Sequence, residues 1–142
     1  MVVAAFLIGL SPVVANAQDE GIVVHGDAAK VEIERILNAD NLNTGSLGAR
    51  FVAETISGIT RGRAPLDFWT AYQAHVRAWY GLANAEEQAR GMPEDLASAA
   101  DSAALVVDAE RQIAQTFDEV ERIAISYGAR MPVPPMEVVP TT

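Results

Sequence analysis

The sequence predicts an all-α fold: a small bundle of four to five mostly antiparallel helices behind an N-terminal signal segment. Three observations carry this. Apolar residues recur at helical spacing through every long stretch. Residues 65–90 hold Phe68, Trp69, Tyr72, Trp79 and Tyr80, with no helix breaker between Pro65 and Gly81. Half of the 142 residues are apolar and none is cysteine, so one core must hold one domain without disulfides.

The chain opens on an apolar run over residues 2–10, broken by Ser11 and Pro12. Ala15 and Ala17 then place small residues where a signal peptidase reads, which predicts a signal peptide over residues 1–17. No Lys or Arg precedes the run, and the run is too short to span a bilayer as a helix. The alternative is a retained hydrophobic anchor. Export with no cysteine fits a bacterial periplasmic or secreted protein, with no stable membrane span in the mature chain.

Residues 18–26 are expected to form a flexible arm, since Ile22, Val23 and Val24 are too few for a strand. The bundle domain is expected over residues 27–128. Asp27 can cap a helix over 28–39, with Ala29, Ile33, Ile36 and Leu37 on one face. Residues 40–45 read as a turn with Leu42 tucked inward. A second helix is expected from Ser46 or Leu47 to Thr60, with Val52, Thr55, Ile56 and Ile59 inside and Phe51 at the edge. The Gly58 and Gly62 spacing carries meaning only in a membrane span, and reads here as chance.

The central helix starts at Pro65, suited to a first helical position, and stops at Gly91 and Pro93. At about 100° per residue, Phe68, Tyr72, His75 and Trp79 form one stripe and Trp69, Val76, Tyr80 and Ala83 a second beside it. Thr70, Gln73, Arg77 and Asn84 fall opposite. A last helical region reaches Tyr127 through a seam of Ala99, Ala103, Val106, Ile113, Val120 and Tyr127, joined by Phe117, Ile123 and Ala124. Ser98 with Asp101 resembles a capping pair, which predicts a break after a short helix near Pro93. Gly128 is the stop, and residues 129–142 are a Pro-rich extended tail.

Chemistry-bearing motifs are sparse. A net charge of −9 argues against nucleic acid and anionic membranes as partners. A calcium loop aligned on Gly45 would put Leu42 and Phe51 at ligand positions, so it fails. No cysteine nucleophile, no zinc signature and no nucleotide-binding glycine pattern occurs, so no catalytic residue, metal site or cofactor is assigned. His75 is read first as a core histidine. Its functional alternative is an axial haem ligand with Met92 or Met131 opposite. The expected function is a non-catalytic interaction or structural module that binds another envelope protein or itself. The alternative is a small-molecule or haem carrier with a pocket on Phe68, Tyr72, His75 and Trp79, and an enzyme ranks third. Exposure of Trp69 and Tyr80 together would favour partner binding, and a cavity beside His75 with two carboxylates would favour chemistry.

Overall fold

A computed structural model describes residues 19–91 and 96–135, with side chains from Gly26 and, after the gap, from Ala97. The expected signal segment lies outside these residues. The fold is a small all-helical bundle of α1 (Asp19–Asp40), α2 (Ala49–Ser57), α3 (Leu66–Arg90) and α4 (Leu96–Ser126), with a single 3-10 turn at Thr44–Ser46 before α2. No strand occurs among the described residues.

Helix α1 is longer than the sequence pattern suggested. The backbone expected to be a loose arm is helical from Asp19, and Asp27 sits exposed inside α1 rather than capping it. A glycine such as Gly26 costs a helix about 1 kcal/mol but does not stop it. An Asp caps only where the preceding backbone has left the helix. Ile33, Ile36 and Leu37 are buried as expected.

Helix α2 is shorter than expected. The 3-10 turn takes its front, and Gly58 closes it in a right-handed helical conformation. Its inner face is Ala49, Val52, Ala53 and Ile56. Thr55 is not inside. It is exposed and returns its hydroxyl to the Phe51 carbonyl at 2.8 Å. Gly62 has φ +56°, in the left-handed region, so each glycine of the spaced pair serves its own turn. The second turn is tied to α1. Arg35 pairs with Glu32 and also donates to the Thr60 carbonyl at 2.7 Å.

In α3, Pro65 is the residue just before the helix rather than its first position, and the Asp67 carboxylate accepts the Phe68 N–H at 2.8 Å. Phe68, Tyr72 and Val76 are buried, and Thr70, Arg77 and Asn84 are exposed on the far side. Trp79 is half-buried rather than a full core residue. Trp69 and Tyr80 also pack, half-buried, against the core.

Helix α4 is continuous through Ser98 and Asp101, so no helix begins between them, and the break expected near Pro93 falls outside the described residues. Val120, Ile123 and Ala124 of its seam are buried, while Ala103 faces solvent. The helix ends in a Schellman motif. The Gly128 N–H reaches the Ile125 carbonyl at 2.8 Å, the Ala129 N–H reaches Ala124 at 3.0 Å, and Gly128 takes φ +73°. Ala129 is thereby buried beside Ala124 in the main core.

Cross-helix bonds fix the topology. Arg50 of α2 pairs with Glu87 of α3 at 2.8 Å, and Ser57 meets Tyr80 at 3.2 Å. His75 of α3 meets Thr116 of α4, and the Tyr127 hydroxyl just past α4 donates to Asp67. Helices α2 and α3, and α3 and α4, are therefore antiparallel. The tail folds back on α1. The Arg130 N–H donates to Glu34 at 2.9 Å and Asn41 donates to the Val133 carbonyl at 2.8 Å.

Candidate functional site

Where α1 ends and the chain turns into α2, the four helices leave a partly open cavity of about 350 Å³. Leu37 and Asp40 of α1, Asn41, Leu42 and Thr44 of the turn, and Val52 of α2 form one side. His75 and Trp79 of α3 and Glu110, Ile113, Ala114 and Phe117 of α4 form the other, and Pro132 of the tail closes an edge.

The stripe Phe68, Tyr72, His75 and Trp79 divides at this cavity. His75 and Trp79 line it, whereas Phe68 and Tyr72 are fully buried and do not. Phe68 stacks on Tyr72 with ring centroids 6.2 Å apart, and Trp69 stacks on Tyr72 at 5.5 Å. The Tyr72 hydroxyl lies 3.4 Å from the Ile56 carbonyl, and burial raises its pKa. These rings build the core.

His75 is 4% exposed, so only its edge reaches the cavity. Its hydrogen bonds fix its state. The Trp79 indole N–H can only donate, and it does so to Nε2 at 3.1 Å. Nδ1 therefore carries the proton and donates to the Thr116 hydroxyl at 3.1 Å. That hydroxyl donates onward to a backbone carbonyl of its own helix, Gln112 at 2.8 Å or Ile113 at 3.0 Å. The Phe117 ring lies 5.3 Å away. Burial pulls the imidazole down to about 4, so it is neutral near pH 7. Both nitrogens are committed. A haem iron or a proton transfer would require breaking the Trp79 or the Thr116 bond, so the residues present do not fit the axial-ligand alternative. Met131 packs against the core, and Met92 lies outside the described residues.

The two carboxylates at the cavity are Asp40 and Glu110, and the sequence reading assigned neither of them to a site. Asp40 has no ion-pair partner among the described residues, and burial pushes its carboxyl up to about 6. Asp40 is half-buried and Glu110 exposed, and each falls in register with an apolar stripe. Asp40 continues Ile33, Ile36 and Leu37, seven residues beyond Ile33. Glu110 lies between Val106 and Ile113, seven residues before Phe117. A charged residue at an apolar stripe position is the sequence signal that points to them.

Among the described residues, no group of three or more His, Cys, Asp or Glu side chains could hold a metal ion, and no helix is long and apolar enough to cross a membrane. No protein-family model, curated protein or solved structure matches this chain.

Proposed function

We propose that this is an exported, non-catalytic helical-bundle protein that carries a small organic molecule. The observation behind the reading is the cavity of about 350 Å³ with Trp79 and Phe117 in its wall. Its size falls at the lower end for small-molecule sites, and its apolar walls with a few polar groups match their usual make-up. Export rests on the apolar run of residues 2–10 with Ala15 and Ala17 behind it. The cavity does set His75 beside two carboxylates, Asp40 and Glu110, the arrangement expected to favour chemistry, but both ring nitrogens are held by neighbours, and the non-catalytic reading rests on that.

N-phenylnaphthylamine, a neutral dye that brightens in apolar surroundings, tests the reading. Saturable one-to-one binding is expected, and Ala114→Trp, which fills the cavity from an exposed position on α4, should abolish it while circular dichroism stays unchanged. Dye binding that survives Ala114→Trp would overturn the assignment.

The second reading, a module that binds a partner or itself, draws on α4. Leu105 and Val107 are 50% and 52% exposed there. Trp69 and Tyr80 do not add to it, because both pack against the core.

A further inference from the structure

The charge on the wall of the cavity is one-sided. Its ring N–H groups are already spent inward, the indole of Trp79 on His75 and the imidazole of His75 on Thr116. One N–H of the Asn41 amide is donated to the Val133 carbonyl. The formal charge that faces a guest is negative only, on the carboxylates of Asp40 and Glu110, beside the neutral Thr44 hydroxyl and Asn41 amide and set against aromatic and aliphatic surface. No Lys or Arg lines the cavity among the described residues.

Resting on the carrier reading above, we infer that the ligand is an organic cation: an apolar body bearing a primary or secondary ammonium group, with the body against Trp79 and Phe117 and the ammonium facing Asp40 and Glu110. An anion would meet like charge without a single basic side chain to offset it. A neutral apolar molecule can enter but gains less, because it leaves the Asp40 carboxylate without a partner. An ammonium satisfies that carboxylate with charge-assisted hydrogen bonds and gains from the negative face of the indole. The raised pKa of the empty site agrees, since it marks a carboxyl that lacks a positive partner.

Three probes of one skeleton separate the possibilities by calorimetry at pH 7.5: phenylbutylamine, phenylbutanol and phenylbutyrate. The amine should bind about tenfold or more tighter than the alcohol, the worth of one charge pair in a partly open site. The carboxylate should not bind measurably. Asp40→Asn should remove most of the amine's advantage over the alcohol and leave the alcohol unchanged, and Glu110→Gln should remove a smaller share. Equal binding of amine and alcohol would overturn the cationic inference and keep the carrier reading. Absence of binding by all three, with dye uptake also insensitive to Ala114→Trp, would overturn both.

Discussion

At one end of the bundle, Phe68 and Tyr72 meet Ile33, Ile36, Leu37, Val52, Ile56, Val120 and Ala124, so all four helices contribute large side chains. At the other, α3 and α4 pass each other on Ala83, Leu82, Val106 and Ala109, with Ala49 of α2 beside them. Small side chains bring two helices close but bury little surface. The first end holds the fold, because buried area scales with side-chain size. The second gives α3 and α4 their length while leaving Leu105 and Val107 in solvent. The cavity lies at the junction, where large rings give way to the start of the alanine contacts and Trp79 serves both clusters.

Truncation should expose this inequality. Phe68→Ala should cost about 3–5 kcal/mol in urea unfolding, whereas Leu82→Ala should cost about 2 kcal/mol because its alanine neighbours offer few atoms to lose. Equal losses would mean that the two ends are energetically alike. An intermediate effect is expected at the junction itself, from Asp40. Its folded pKa is raised, so its contribution to stability is full below the unfolded value near 3.8 and is lost as pH rises through about 6. Asp40→Asn should therefore stabilise the empty protein at pH 7.5, by on the order of 2 kcal/mol, with the gain gone at pH 4. His75 runs the other way. Its lowered pKa gives stability that is present above about 6.5 and lost as pH falls through about 4. In the wild type the two slopes oppose between those limits, and the Asn variant should uncover a steeper loss in acid. A gain that is the same at both pH values would show that the carboxyl is well solvated. The smallest effect is outside both ends. Gly128→Ala meets no atom within 4 Å, so only its φ of +73° is strained, at about 1 kcal/mol by thermal unfolding.

The helices were readable because their signals are local. Phe68, Tyr72 and Val76 repeat at helical spacing, and Gly91 and Gly128 mark stops that the structure keeps. Thr55 was misplaced because two alanines, Ala49 and Ala53, fill the inner face of α2 and carry almost no hydropathy signal. The start of α1 was misplaced because Asp27 has the chemistry of a cap without its backbone. Two residues of the cavity wall, His75 and Trp79, stand on the stripe that the sequence marks. The rest of the wall was not legible, because Asp40 and Glu110 stand 70 residues apart in sequence and only the tertiary fold brings them to one cavity. The partners of His75 were likewise hidden, since Thr116 belongs to a helix whose register against α3 no local pattern specifies.

The left-handed turn at Gly128 also has a kinetic meaning. It sends the chain back so that Arg130 and Val133 bond to residues 96 and 92 positions earlier, on α1 and the turn after it. During synthesis, Pro132 emerges after every helix that it leans on, so the edge it closes is the last part of the cavity wall to be built. The Arg130 and Asn41 bonds are few and exposed, so the same segment can fray while the four helices remain folded. Release of that short segment would widen the mouth of an already partly open cavity, on a timescale far shorter than that of unfolding the bundle.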